Sequence, residues 1–446
     1  MYKRFTSLLV LVVLIITVFA GCGRADNAQN ATNAETSKTV ETTATEVEKP
    51  QEPVKLDMVY WHPEQKDIME SMNKTYMDAN KNVTIELQQV PGDQYDKVLK
   101  TRFLSDNGPD IFLYFGSGAY KYGKDGYYGD LTNQPFAQNV LPAFTGPCTY
   151  EGKLYAIPLN SMGSGIFYNK KVFSDAGITE MPKTYADFLA LCEKIKAKGV
   201  TPIARGSKDA WTALHETGPL TANFVLGKNE NFQLERYNDK FKFATSPEME
   251  NYFNKYAELV DKGYIAKGVL GVSHSQAAQE VADGKAGMLM GISVFYADIK
   301  SANKDADIGY FSLPDENGKS YQIGTSDKAI GYWAKGKKTE EAIKVVGFYA
   351  TPEINKVYCE ATQMLPCIKG VDVKLDEPLQ QCAQDISNAA IMFNFFDVPW
   401  PTAAADTYRI QIQKIDSGKR NIKEMLAEID KVYDDNKSSV DAPPLK

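Results

Sequence analysis

Apolar and polar positions follow two different rhythms along most of this chain, and the changes of rhythm mark its elements. Residues 55–61 are apolar on both faces, as a buried strand is. Behind them Ile68, Met72 and Tyr76 recur four apart, which lines one face of a helix. Val83-Thr84-Ile85-Glu86-Leu87 alternates like a strand, and Tyr95, Val98, Leu99 and Phe103 give a second helical stripe. Asn107-Gly108-Pro109 breaks that helix before a buried strand, Asp110-Ile111-Phe112-Leu113-Tyr114. The order is β-α-β-α-β, which predicts a parallel sheet with right-handed crossovers. In such sheets ligands sit at the carboxyl ends of the strands, which puts Trp61-His62 and Tyr114-Phe115-Gly116 on one edge.

Farther along, residues 151–158 read as a hairpin and residues 165–170 as another strand. Thr184 caps a helix with Asp187 at its third position, followed by Phe188, Leu189, Cys192 and Ile195, and Gly199 ends it. Ser246-Pro247 starts a further helix whose stripe is Met249, Phe253, Tyr256 and Val260. Residues 286–290 make a buried strand, and residues 421–433 one more amphipathic helix. This count of elements suits two α/β lobes. The body beyond residue 54, about 390 residues, is also more than one core usually holds.

The start of the chain follows neither rhythm. Lys3 and Arg4 precede an uncharged apolar run from Leu8 to Phe19, and Ala20-Gly21-Cys22 follows. A basic start, an apolar core of about 12 residues and small residues at its end describe an export signal, too short to span a bilayer. Residues 23–53 hold no aromatic and almost no large aliphatic side chain. Such a segment buries too little apolar surface to offset the entropy of ordering it, and as a coil it spans roughly 30 Å. A soluble body on a leash outside the cell is the expectation.

The net charge of −7 argues against a nucleic-acid binder, which needs a basic face. Apart from Cys22 there are five cysteines, Cys148, Cys192, Cys359, Cys367 and Cys382, with irregular spacing and no CxxC pair. That is no disulfide framework and no zinc site. Buried thiols are the expectation, with a Cys359–Cys367 pairing left open.

Several short stretches, in order, resemble the bacterial extracellular solute-binding proteins of family 1, the maltose-binding-protein-like class that feeds ABC importers. They are residues 107–111 (NGPDI), 150–158 (YEGKLYAIP), 167–170 (FYNK), 283–288 (DGKAGM) and 351–353 (TPE). The small residues before Cys22 likewise resemble a lipoprotein processing site, with Phe19 in place of the usual aliphatic residue. The resemblance implies a two-lobed α/β periplasmic-binding-protein-like fold (type II) with the ligand cleft between the lobes. It implies a lipoprotein signal peptide at 1–21, and a lipidated Cys22 with its tether at 22–53. The first lobe would be 54–158 plus 325–372 and the second 159–324 plus 373–440. Crossings are expected near Pro158–Asn160, Gln322–Ser326 and Gly370–Leu375. The implied function is capture of a sugar or oligosaccharide and its delivery to ABC permease subunits, by a monomer lipid-anchored at the extracytoplasmic face of the cell membrane. No cofactor or metal is implied.

A sugar offers apolar C–H faces that aromatic rings cover and hydroxyls that polar groups bind. By position in the resemblance, Trp61, Tyr114, Trp211, Phe295 and Trp400 are the candidate stacking residues. His62, Asp209 and Asp397 are candidate polar contacts. Trp211 and Trp400 lie among polar or Pro-rich loop residues and are expected on the ligand. For Trp61 the core is an equal alternative, and Trp333, in an apolar strand, is expected to be structural. The chain departs from maltose-type sites, with Ser117-Gly118 in place of an Asp-Arg pair and Met162 nearest an expected glutamate. Glycerol phosphates, polyamines and metal chelates are other ligands of the class, though no dense basic cluster suits a phosphate.

The rival class is a surface-anchored glycoside hydrolase, which needs two carboxylates about 5–10 Å apart. Other catalytic signatures are incomplete. Gly271-Val272-Ser273-His274-Ser275 lacks the closing glycine of a nucleophile elbow, and His215-Glu216 has no second histidine for zinc. Binding without turnover is the reading they favour.

Overall fold

The computed structural model describes residues 52–389 and 392–442. The export leader, Cys22 and the tether lie outside these residues. Two hydrophobic cores organise the chain. One gathers side chains from residues 56–159 and 329–368. The other gathers Phe144 with side chains from residues 162–323 and 364–433. Each core packs on its own sheet, which is the two-lobed α/β plan.

In the first lobe the strands Val54–Tyr60, Val83–Gln89 and Ile111–Phe115 run parallel, with Val54–Tyr60 in the middle. The sheet is not wholly parallel as expected. Lys328–Tyr332 joins it antiparallel to Ile111–Phe115, and Ile157–Pro158 pairs on that strand's far side. These two strands enter from the crossing segments rather than through helical crossovers, so nothing forces them parallel. The second sheet mixes directions too. Ala286–Ile292 pairs parallel with Thr201–Ala204 and antiparallel with Ser164–Asn169.

Local signals act where the sequence places them. Thr184 and Asp187 form a reciprocal capping box on helix Tyr185–Ala197, and the Ser246 hydroxyl caps Pro247–Asp261. Between the lobes lies a three-stranded hinge sheet. Asn160–Met162 is its centre, flanked antiparallel by Thr325–Ser326 and Leu365–Pro366. The third of these strands lies a few residues ahead of the Gly370–Leu375 crossing expected by resemblance. Cys148, Cys192, Cys359, Cys367 and Cys382 are buried free thiols, so Cys359 and Cys367 are not paired.

Candidate functional site

The register of the strands decides where the two lobes face each other. In the first sheet Phe115, at the carboxyl end of its strand, pairs with Lys328, which comes two residues after the hinge strand Thr325–Ser326. In the second sheet Ile292, at the carboxyl end of its strand, pairs with Ser164, two residues after the hinge strand Asn160–Met162. The parallel strand Thr201–Ala204 ends at the same side. The carboxyl edges of both sheets therefore abut the hinge, and whatever follows those strands lines the cleft.

On the first edge the structure gathers an aromatic group. Trp61 packs on His62 at 4.9 Å between ring centroids, on Tyr95 at 5.0 Å, on Phe115 at 4.7 Å and on Tyr114 at 6.4 Å. Trp61 is itself buried, whereas Phe115 is 45 % exposed. The tryptophan is the base on which Phe115 stands as the open face. Tyr114 is half-buried, and burial, then the nearby Asp96 carboxylate, pushes its phenol well up, so it stays protonated. Lys328 Nζ lies 6.0 Å from the Trp61 ring and pairs with Asp327. The turn after Phe115 comes so close to the hinge that a Cβ on Gly116 would meet Ser326 Oγ at 2.2 Å. Only glycine allows that approach.

On the second edge Trp211, 44 % exposed, follows Thr201–Ala204. Its ring packs on His274 at 5.0 Å, His215 at 5.6 Å and Phe295 at 6.0 Å. The loop that carries it is fixed by a buried charge cluster. Arg205 donates to Glu216 at 2.6 Å, to Thr212 Oγ1 at 2.9 Å and to Asp416 at 3.2 Å. Tyr256 and Ser207 donate their hydroxyls to Asp416 at 2.5 and 2.6 Å. His274 reaches Asp298 at 2.9 Å and Glu216 at 3.7 Å. Arg205 thus bridges the buried Glu216 and Asp416, and His274 sits between Glu216 and the partly exposed Asp298, so each buried charge has an opposite one beside it to offset its desolvation.

Three expected ligand contacts are buried in packing among the protein's own side chains, and a fourth holds a backbone N–H. Trp400 is 4 % exposed inside the second core, against Phe243 at 4.6 Å and Phe396 at 5.0 Å, with Nε1 donating to Gln233 at 2.7 Å. Its Pro-rich flanks suggested a surface loop, but four aromatic rings close over it. Asp397 is buried and held by Arg409 at 2.6 Å. Phe295 is buried and backs Trp211 rather than offering its own face. Asp209 accepts the backbone N–H of His274 at 2.7 Å, fixing the start of helix His274–Ala282 beside Trp211.

Sequence reasoning put Phe115 on the ligand edge but left it, with Lys328, His215 and His274, out of the expected ligand contacts. Phe115 had a usable signal: a large apolar side chain ending a strand directly before Gly116-Ser117-Gly118, where a turn leaves it uncovered. His215 had one too, since it follows Trp211 by one helical turn; Lys328 and His274 had none, because their neighbours in the site are remote in sequence.

The two histidines on Trp211 carry opposite shifts. Burial, then Arg409 and His274, pulls His215 from 6.5 down to about 3. Burial opposes charge on His274 too, but the Asp298 carboxylate hydrogen-bonded to Nε2 and the Glu216 carboxylate 3.7 Å from Nδ1 outweigh it and raise His274 from 6.5 to about 9. His215 is neutral and His274 charged at neutral pH. The folded state refuses a proton on His215 that the unfolded state accepts below 6.5, so that contribution is lost as pH falls toward about 3. The folded state holds the His274 proton more tightly, so that contribution is full below 6.5 and lost as pH rises through about 9. In urea titrations across pH, His215→Gln is expected to flatten the acid limb of stability and His274→Gln the alkaline limb. Parallel curves for variant and parent would refute the assignment.

Two lobes with a hinge sheet between them, and an exposed aromatic ring on each hinge-facing edge, make a plan suited to holding a small molecule between the lobes. The chain belongs to the bacterial extracellular solute-binding protein family, whose model matches residues 61–356. It is similar to the multiple sugar-binding protein of Streptococcus mutans, 28% identical over 312 residues, covering 69% of this chain and 73% of that one. It is also similar to the melibiose/raffinose/stachyose-binding protein MelE of Bacillus subtilis, 21% identical over 308 residues, 67% of this chain and 70% of that one. Among solved structures, apo RafE from Streptococcus pneumoniae superposes with a TM-score of 0.77 at 22% identity, over 87% of this chain and 99% of that one.

Proposed function

We propose that this protein is the carbohydrate receptor of an ABC importer, capturing a sugar or oligosaccharide between its lobes and presenting it to membrane permease subunits. The observation that carries this reading is the pair of open aromatic faces, Phe115 on the first lobe and Trp211 on the second, each at a hinge-facing sheet edge. One ring from each side sandwiches a sugar by its apolar faces, and Asp327, Lys328 and Asp209 border it with groups for hydroxyls. The names of the relatives support a sugar, and melibiose, raffinose and stachyose are the first to try. The lobes are taken as 54–158 plus 325–372 and 159–324 plus 373–440, and binding is followed by closure, not by chemistry.

Removing a stacking ring should cost roughly 1–3 kcal/mol of binding, about ten- to a hundredfold in affinity. Phe115→Ala and Trp211→Ala are therefore expected to weaken sugar binding by that factor in calorimetric titration, with native circular dichroism. Unchanged affinity in both variants would sink the sandwich.

The reading extends to lipidation of Cys22, which would hold the receptor at the extracytoplasmic face of the membrane. Among the described residues no helix is long and apolar enough to cross a membrane. Cys22→Ser is expected to move the protein from the membrane fraction to the medium. A parent protein already free in the medium would contradict anchoring.

A further inference from the structure

The last described residues do something that a chain terminus packed on its own lobe would not. Helix Ile422–Asn436 and the turn Lys437–Ser439 belong to the second lobe, where Lys437 Nζ pairs with Asp239 at 2.5 Å. Beyond them the Val440 carbonyl accepts from Tyr237 of the same lobe at 3.5 Å. Asp441 then reaches the first lobe, where both its carboxylate oxygens accept from Lys124 Nζ, at 2.5 and 2.6 Å. Lys124 ends helix Ala119–Lys124, which continues from the turn after Phe115 and whose Tyr122 lies in the first core. The contact therefore joins the two lobes at the helix behind the first aromatic face, independently of the three hinge strands.

We infer that Lys437–Asp441 is a strap whose Asp441–Lys124 ion pair holds the lobes apart and tunes ligand affinity. The sign follows from the arrangement in which the pair is made. Phe115 and Trp211 are both nearly half exposed there, and the ring contacts of each among the described residues lie within its own lobe, which is the arrangement of lobes not yet closed on one another. Closure moves Lys124 with the first lobe while the root of the strap stays with the second, and the pair made in the open state must rearrange. A contact confined to one of two states shifts the balance toward that state, and apparent affinity scales with the population able to close. Lys124 and Asp441 are both partly exposed, so the bias is modest and screened by salt.

The strap is tested on the full chain with Asp441→Asn, Lys124→Gln and the double reversal Lys124→Asp/Asp441→Lys. Without ligand and in a Cys22→Ser background, spin labels on Lys97→Cys and Lys194→Cys, one exposed site per lobe, report the distance between lobes; the five thiols among the described residues are buried. Both single variants are expected to enlarge the short-distance population. The double reversal is expected to restore the parent distribution, which a merely misfolded tail would not do. The affinity arm rests on the sugar-receptor reading: both single variants are expected to tighten sugar binding about two- to fivefold at low salt, with the difference vanishing at 1 M NaCl. Unchanged distances, or a shift toward longer ones, overturn the strap whether or not any sugar binds. A failure of every sugar to bind, with the distance shift present, overturns the sugar reading and leaves the strap standing.

Discussion

Trp400→Ala is expected to destabilise the second lobe by about 3–5 kcal/mol, the usual consequence of deleting a large aromatic from a packed core. The indole is enclosed by Phe243, Phe396, Tyr408 and Tyr433, with centroids between 4.6 and 6.1 Å away. Its removal leaves a void among rings that are themselves anchored: the Tyr408 hydroxyl bonds Tyr252 at 2.6 Å and Thr217 at 3.1 Å, so it cannot slide inward freely. It also leaves the Gln233 Oε1 that accepts from the indole without that donor. Equilibrium urea unfolding measures the loss, and Trp400→Phe, which keeps most of the packing, is expected to lose distinctly less. Sugar affinity of the folded variant is expected to match the parent's. A stable Trp400→Ala protein that binds poorly would return this residue to the cleft.

Arg205→Met is expected to cost a similar amount, about 3–5 kcal/mol, for an electrostatic reason. Arg205 is 2 % exposed and supplies hydrogen bonds to Glu216, Asp416, Thr212 and Tyr256 at once. Without the guanidinium, buried Asp416 is left to the Tyr256 and Ser207 hydroxyls and Glu216 to His274 at 3.7 Å, so one of the two must take up a proton or draw in water. The same cluster grips the loop that carries Trp211, so affinity is expected to fall along with stability. This separates the two variants: Trp400→Ala affects stability alone, Arg205→Met affects both. Paired unfolding and binding titrations distinguish them, and an Arg205→Met protein as stable as the parent would show that the cluster contributes nothing net.

The elements were legible because their signals are local. The helical stripe of Met249, Phe253 and Tyr256, the capping box at Thr184 and the buried strand before Gly291 can each be read within a dozen or so residues, and each forms as read. Trp61 and Phe115 were placed on one edge by the β-α-β rule alone, and their rings touch. What escaped was anything decided by contacts across the chain. Arg205 and Asp416 meet over 211 residues, and nothing near either announces the other. Trp400 looked exposed because Pro399 and Pro401 flank it, yet Phe396 and Tyr408 close on the indole from nearby, and Gln233, Phe243 and Tyr433 from remote parts of the chain. The antiparallel entry of Lys328–Tyr332 into the first sheet had no local signal for the same reason: its pairing is set by the hinge it comes from, not by its own sequence.

The central claim is that a sugar draws the lobes together on Phe115 and Trp211. Small-angle scattering tests it most directly, comparing the ligand-free protein with the protein saturated by whichever sugar raises its melting temperature most. A smaller radius of gyration with sugar is expected, as for a hinge closing on its ligand. The contraction should be absent from a Phe115→Ala/Trp211→Ala protein at the same sugar concentration. An unchanged radius in the saturated parent protein would contradict the account.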